Sequence, residues 1–230
     1  MFANFDFDVI WRSLPYLFYQ GMTFTLLLTA LATLGGIVIG TLLALMRLSG
    51  VAFLTAPAAV YVNLMRSVPF VLMIFWFYFL VPYIGQWATL AKQPVQVGAF
   101  ASCLVTFTLF EAAFFCEIMR AGIQSIPRGQ VAAAQALGMN YATTMGYIIL
   151  PQAFRNMVPV LLTQTIVLFQ DTSLVYVISV TDFLGAASKV AQRDGRLVEM
   201  YLFAACVYFI ISLSASRAVG LLQRRVAIIR

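Results

Sequence analysis

The chain has 230 residues, of which 63% are hydrophobic and only 10% are charged. Soluble domains have about 45–50% apolar and about 25% charged residues, so this composition excludes a soluble protein and predicts an all-α integral membrane protein. The net charge of +6 does not indicate nucleic-acid binding, because the basic residues stand singly or in pairs at the ends of apolar segments.

The first apolar segment, 21–46, has no charged residue and is longer than the about 20 residues that a helix needs to cross the hydrocarbon core. It predicts the first transmembrane helix, and Gly36 and Gly40 give it a small-xxx-small pair for helix packing. The preceding residues mix acids, an arginine and aromatic side chains. We therefore expect residues 1–20 to form an outer interfacial segment, residues 21–217 a single transmembrane domain, and residues 218–230 a basic cytoplasmic tail.

Four further apolar segments predict about five transmembrane helices in total: 52–82, 97–119, 158–180 and 200–216. The segment 52–82 exceeds the length of one span. Since the residue before a proline is disfavoured in a helix, Ser67-Val68-Pro69 predicts a kink or break near Val68. The last segment is short, and we expect it to include flanking residues.

The distribution of lysine and arginine indicates the orientation, because cytoplasmic loops carry more of them. With the amino terminus outside, the more basic side is the inner one, and Arg66 stays unassigned. We therefore predict a cytoplasmic carboxy terminus and a cytoplasmic loop at about 120–155. The inner residues are Arg47, Arg120, Arg128, Arg155, Arg217, Arg224, Arg225 and Arg230; the outer residues are Arg12, Lys92, Lys189, Arg193 and Arg196.

Polar side chains recur along the segment 158–180. Gln164 and Asp171 lie about two helical turns apart, as do Thr163 and Gln170, so they share one face of a helix. Ser173 follows them in the run FQDTSL. Polar groups inside a membrane face a cavity or a partner helix. This face therefore suits either a substrate path or interhelical hydrogen bonds.

Three other charged residues lie near helix ends. Glu117 and Arg120 are one turn apart, which predicts a local structural ion pair. Arg66 can present a planar fork of donors to a carboxylate. It is our candidate to meet a substrate carboxylate, and the alternative is a structural clamp on the Pro69 kink.

The stretch from Gly129 to Ala153, GQVAAAQALGMNYATTMGYIILPQA, is rich in alanine and nearly free of charge. Pro127 and Arg128 suit a turn into a new helix, and the alanines favour helix with almost no bulk. Gly138 can adopt a positive φ, end that helix and let the chain reverse towards Pro151. A helix of small residues can seat in a groove on a partner; the alternative is an amphipathic helix on the membrane surface.

The pair Ala133-Ala134, the glycine at 138 and the run Ile148-Ile149-Leu150-Pro151 resemble, in residues and spacing, the cytoplasmic EAA loop of binding-protein-dependent ABC importer permeases. Ala132 stands where that family usually has glutamate. The runs RSVP at 66–69, EIMRAGIQSIP at 117–127 and FQDTSL at 169–174 resemble the permeases for polar amino acids. Residues 169–200 look most like the permeases of glutamate/aspartate import systems.

The resemblance implies a type-I ABC transmembrane domain in a bacterial inner membrane, with a second permease chain, identical or related, in the lipid bilayer. It also implies two ATPase subunits inside and a periplasmic solute-binding protein outside. Contacts with the ATPase would come from Gly129, Ala132, Ala133, Ala134, Gly138, Leu150 and Pro151. The path of the amino-acid substrate would be lined by Arg66, Gln164, Gln170, Asp171 and Ser173.

No P-loop sequence is present, so ATP and its magnesium ion are expected on the partner ATPase, and we predict neither an enzyme nor a cofactor in this chain. One alternative is a secondary transporter driven by an ion gradient, which would need inverted repeats that five spans do not provide. Another is an intramembrane enzyme, but the chain has no histidine and its acids are scattered. Neither a metal site nor a nucleic-acid site is expected.

Overall fold

The computed structural model describes residues 5–95 and 97–226, and within these ranges the regular structure is helical. Ten α-helices follow one another, joined in places by π-helical or 3₁₀ turns. Their bounds are α1 Phe7–Tyr16, a π turn Leu17–Met22, α2 Thr23–Leu48, α3 Ala52–Ser67, α4 Phe70–Thr89, α5 Ala99–Gln124, α6 Arg128–Ala136, α7 Tyr141–Thr144, a π turn Met145–Ile149, α8 Leu150–Asp171, a 3₁₀ turn Thr172–Ile178, α9 Phe183–Asp194 and α10 Leu197–Val226.

Among the described residues, five helices are long and apolar enough to cross a membrane, as the sequence predicted. The spans are Phe7–Leu48, Phe70–Thr89, Ala99–Gln124, Tyr141–Ile178 and Leu197–Arg225. The predicted break is confirmed: α3 ends at Ser67, and Pro69, with φ −56° and ψ 132°, precedes α4. The short segment 200–216 also gains flanking residues, because α10 starts at Leu197.

The first helix begins before the apolar segment does. Asp6 caps α1 by accepting hydrogen bonds from Asp8 N and Val9 N at 2.9 and 3.4 Å, and the chain stays helical for 42 residues to Leu48. Part of residues 1–20 is therefore continuous with the first span. At the other end α10 includes residues 218–226 of the predicted tail, whereas residues 1–4 and 227–230, with Arg230, lie outside the described residues.

The described residues form two compact units. The first contains the chain up to Leu34 with Val68–Thr108 and Ile166–Ala215. Its core packs α9 against the first helix: a Cβ added at Gly21 would lie 2.9 Å from both Ala186 Cβ and Phe183 Cα. A second core in this unit surrounds the fully buried Phe107 and consists of Leu28, Ala32, Ile74, Cys103, Phe107, Leu168, Val175 and Val180.

Helix α9 is the most enclosed short element of the first unit. Asp182, itself fully buried, caps it by accepting from Leu184 N at 3.0 Å and Gly185 N at 2.9 Å, and Gly195 ends it with a φ of 67°. Asp182 lies outside the candidate spans, and burial raises its pKa to about 7. The buried residues of α9 are Phe183, Gly185, Ala186, Ala187, Ser188, Val190 and Ala191.

The second unit contains Gly35–Ser67, Leu109–Thr165 and the described chain from Ser216. In it α2 and α5 approach closely at the small-xxx-small pair. A Cβ at Gly40 would lie 2.9 Å from both Ala112 O and Phe115 Cβ, and one at Gly36 would lie 3.0 Å from the Phe115 ring. The two glycines therefore provide the helix contact that the sequence predicted.

Candidate functional site: the Glu117 cluster and the 128–151 loop

Four charged side chains of the second unit meet at Glu117, and we call them the Glu117 cluster: Arg47, Arg66, Glu117 and Arg120. Arg120 donates from Nε and Nη2 to Glu117 Oε2 at 3.1 and 2.6 Å. Arg47 Nη1 donates to Glu117 Oε1, and Arg66 Nη1 lies 3.9 Å from the same oxygen. The sequence predicted only the Glu117–Arg120 pair; Arg47 was missed because its contact joins two distant helices.

The arginines of the cluster are not equally enclosed. The exposed fraction of the side chain is 15% for Arg47, 29% for Arg120 and 43% for Arg66, against 16% for Glu117. Arg66 also stacks over the ring of Phe114, with its guanidinium carbon 5.6 Å from the centroid. Arg66 is therefore the outermost cation, held by a ring face and by one distant carboxylate oxygen.

A second polar contact of this unit joins α5 to α8. Glu111 is fully buried, and Gln164 Nε2 donates to its Oε2 at 3.0 Å. Gln164 thus makes the interhelical hydrogen bond that was one of the two roles considered for the polar face of α8. Its partner could have been suspected from Glu111, a carboxyl group deep within a predicted span.

The other candidate path residues belong to the first unit. Gln170 and Asp171 end α8, and Ser173 lies in the 3₁₀ turn that follows. Gln170 is exposed, whereas Asp171 and Ser173 are half-buried. Gln170 and Asp171 therefore lie on the α-helix that the sequence predicted, and Ser173 lies just beyond its last residue.

The loop between α5 and α8 has the predicted helix–turn–helix course. Helix α6 begins at Arg128 after Pro127, whose φ is −57° and ψ 136°. Gly138 has a φ of 75°, and backbone bonds from Gly138 N to Gln135 O at 2.9 Å and from Met139 N to Ala134 O at 3.0 Å close the helix end. Asn140 then caps α7 by accepting from Thr143 N at 2.9 Å.

Exposure separates the residues of this loop into two groups. Ala134 is only 2% exposed, so it holds α6 against the rest of the chain and offers no surface to a partner. The other residues that were predicted to contact an ATPase are exposed: Gly129, Ala132, Ala133, Gly138, Leu150 and Pro151. A residue expected to seat in a partner groove is thus turned inwards, because one face of α6 must pack on its own chain.

Three large side chains of this loop, which were not predicted as contact residues, are strongly exposed. Leu137 is 81% exposed, Tyr141 76% and Tyr147 80%. Tyr141 and Tyr147 belong to the helical stretch Tyr141–Ile178 that includes the fourth candidate span, where large exposed side chains can face lipid or anchor a protein contact. Their presence in a loop otherwise made of small and polar residues was the signal that could have identified them.

Within the described residues, no three His, Cys, Asp or Glu side chains are grouped so that they could hold a metal ion. The described residues offer charge pairing at the Glu117 cluster and an exposed surface at the loop.

Comparison with known proteins gives concordant similarities over nearly the whole chain. The family model described as "Binding-protein-dependent transport system inner membrane component" matches residues 36–228. The glutamate/aspartate import permease protein GltK of Escherichia coli O157:H7 is 54% identical over 224 residues, which cover 97% of this chain and 99% of the relative. The glutamine transport system permease protein GlnP of Escherichia coli K12 is 32% identical and covers 98% of this chain and 100% of its own.

Solved structures are also similar to this chain over nearly its whole length. A crystal structure of an amino acid ABC transporter with histidines superposes with a TM-score of 0.85 at 32% identity, covering 96% of this chain and 98% of that chain. An inward-facing methionine transporter, MetNI, has the same fold with a TM-score of 0.72 at 19% identity, covering 94% of this chain and 98% of its own.

Proposed function

Since the chain belongs to the family of inner membrane components of binding-protein-dependent transport systems, we propose that the cargo it imports is glutamate and aspartate. It is a multi-pass permease of the inner membrane, and nucleotide binding belongs to a partner ATPase. The observation that supports this cargo is the 54% identity with a glutamate/aspartate permease over 97% of the chain, against 32% with a glutamine permease.

The working assembly that we propose has two permease chains, identical or related, in the bilayer. A binding protein delivers the amino acid from outside, and two ATPase subunits bind inside. Five spans are few to enclose a path alone, which supports a paired permease.

We also propose that the amino terminus is outside and the carboxy terminus cytoplasmic, supported by the excess of arginine on the inner side. A reporter that is active only outside the cytoplasm should stay silent when it is fused after Arg230. Activity of this fusion would contradict the proposed orientation.

We propose that the 128–151 loop couples the permease to the ATPase. The exposed Leu137, Tyr141 and Tyr147 are suited to enter an ATPase groove, while Ala132 and Ala133 allow the close approach of the helix. When ATP closes the ATPase pair, the docked loops would move together and turn the helices from inward-facing to outward-facing, as the binding protein releases its cargo.

The backbone at Gly138 offers a matched test of this coupling. Its φ of 75° disfavours most residues, but asparagine tolerates that conformation better than a β-branched side chain does. Gly138→Val should insert in the membrane normally but lose stimulation of ATP hydrolysis by the loaded binding protein. Gly138→Asn should keep most of it. If the loaded binding protein stimulates ATP hydrolysis in both variants as strongly as in the wild type, a role for this turn is excluded.

We further propose that Arg66, Gln164, Gln170, Asp171 and Ser173 contribute to the substrate path. The half-buried Asp171 and the exposed Gln170, at the end of a spanning helix, support this, since polar and charged groups facing lipid are costly. Uptake of radiolabelled glutamate by the complete complex in proteoliposomes, with binding protein and internal ATP, tests the cargo directly. Asp171→Asn should impair that uptake with subunit assembly intact, and uptake of glutamine alone would refute the proposed cargo.

A further inference from the structure

The Glu117 cluster carries more positive than negative charge. Glu117 is the one carboxylate that lies within 4 Å of Arg47, Arg66 or Arg120 in the part of the chain that the structure describes. Three guanidinium groups therefore share a single negative charge; Arg47 and Arg120 are half-buried, whereas the Arg66 side chain is 43% exposed. Because the cluster has more cations than anions, an arriving anion would be stabilised at its exposed cation, Arg66.

Glu117 has little capacity left for Arg66. Its Oε2 accepts two N–H groups of Arg120, and its Oε1 accepts one from Arg47. Arg66 Nη1, at 3.9 Å from Oε1, is beyond hydrogen-bond distance. The guanidinium of Arg66 thus feels the charge of Glu117 but keeps its own fork of donors available.

The surroundings of Arg66 keep that fork in place. Its guanidinium lies over the ring of Phe114, and on the same helix Tyr61 ties α3 to α5 by donating to Leu109 O at 2.7 Å. A planar guanidinium fixed by an aromatic face matches the two oxygens of a carboxylate or of a phosphate better than a flexible ammonium would. The geometry therefore indicates an oxyanion as the missing partner.

We propose that Arg66 binds the α-carboxylate of the transported amino acid, and that Glu117 is the resting counter-ion which the substrate replaces at Arg66. This inference rests on the proposed import function. The α-carboxylate is the group shared by glutamate, aspartate and the glutamine named for a relative. The site would therefore hold the common end of the amino acid and leave the side chain to be distinguished elsewhere.

The proposal predicts opposite effects for the two members of the pair. Removing the donor fork in Arg66→Gln should weaken the binding of labelled glutamate to the complete permease–ATPase complex, without binding protein, by about tenfold or more. Removing the competing charge in Glu117→Gln should strengthen it, whereas a merely structural carboxylate would weaken binding or prevent assembly. Arg217→Gln, the same change at an exposed position of α10, is the matched control and should bind as wild type does.

Competitors and lipids identify the bound group. Unlabelled glutamine keeps the α-carboxylate and should compete, whereas 4-aminobutyrate lacks it and should not. Binding should be equal in nanodiscs of phosphatidylcholine and in nanodiscs that also contain phosphatidylglycerol. If Arg66→Gln binds glutamate normally but loses a stabilisation by phosphatidylglycerol seen in wild type, the anion is a lipid phosphate and the proposal is overturned.

Two further outcomes separate this proposal from the import function. If Glu117→Gln fails to assemble, Arg66→Lys provides the test. Lysine keeps the charge but lacks the planar fork of donors, so this variant should lose most of its affinity for glutamate, and full affinity would overturn the proposal. If wild-type proteoliposomes take up glutamate while both Arg66 variants bind it normally, the import function stands and only the carboxylate site is refuted.

Discussion

The two short helices α6 and α9 both lie outside the candidate spans, but they bury their side chains to different extents. Helix α9 buries seven of its residues, and both of its ends are fixed, by the Asp182 cap and by Gly195. Helix α6 buries only Ala134, and next to it Leu137 is 81% exposed. One helix is part of the core of its unit, whereas the other displays most of its surface.

The difference shows that two helices of similar length can differ strongly in how much of their surface they bury. In α9 the small residues allow close packing within the same chain, as the contact of Ala186 with the position of Gly21 demonstrates. In α6 the similar alanines Ala132 and Ala133 are exposed. Alanine content alone therefore does not reveal whether a helix is buried or exposed.

The largest expected effect comes from one substitution made in both helices. A Cβ at Gly185 would overlap Val180 O and lie 2.8 Å from Asp182 Oδ1, whereas a Cβ at Gly129 meets nothing within 4 Å. Gly185→Ala should lower the free energy of unfolding by about 1–3 kcal/mol. Gly129→Ala should raise it by about 0.5–1 kcal/mol through helix propensity. Thermal unfolding of the purified variants measures both, and equal shifts would abolish the distinction between the helices.

A second prediction concerns the apolar surface beside α6. Leu137→Ala and Tyr147→Ala should each weaken association with the ATPase by about tenfold, because exposed large side chains are the usual anchors of a contact. Their unfolding temperatures should not change. Leu197→Ala, at a position 51% exposed at the start of α10, is the matched control. Unchanged ATPase affinity in both loop variants would make the exposed surface irrelevant to docking.

A third prediction uses the buried cap of α9. Since the pKa of Asp182 is raised to about 7 in the folded protein, the folded state holds a proton that the unfolded state releases near pH 4. Stability should therefore fall as pH rises, by about 1 kcal/mol between pH 6 and pH 8. Asp182→Asn should flatten this dependence, and unfolding temperatures at the two pH values measure it. A wild-type stability that rises over this range would contradict the buried carboxyl.

The smallest expected effect restores the glutamate that is usual in the family. Ala132 is exposed on α6, and a charge there makes only a surface ion pair. Ala132→Glu should strengthen ATPase association by no more than about fivefold. Ala133→Glu, at the adjacent exposed position, is the control for charge alone. Equal gains in both would show that position 132 has no specific partner.

Much of the architecture was predictable because it depends on local sequence. The five spans follow from hydropathy, the break before α4 from Pro69, and the turn after α6 from Gly138. These features depend on hydrocarbon thickness or on the dihedral preferences of single residues. A local window contains the necessary information: about 20 residues for a span and a few residues for a turn or a break.

The rest required knowledge of which helices meet. Lys189 and Arg193 were expected on the outer side between two predicted spans, and they lie on the exposed side of a helix whose other side is buried. Its apolar residues at 186, 187, 190 and 191 recur with helical spacing and were the available signal. The pairing of Arg47 with Glu117 depends on the α2–α5 contact, and no local pattern encodes it.

The Glu117 cluster also bears on how the chain is made. Arg47 and Arg66 precede Glu117 in the sequence, so both leave the ribosome before it. An acid entering a bilayer alone costs up to about 2.5–3.5 kcal/mol, but here two cations that it will contact have already been synthesised. We expect the helix with Glu117 to insert more efficiently when the first two hydrophobic segments have been translated than when it is presented alone. On this expectation, the order of residues along the gene would assist membrane insertion as well as the final packing.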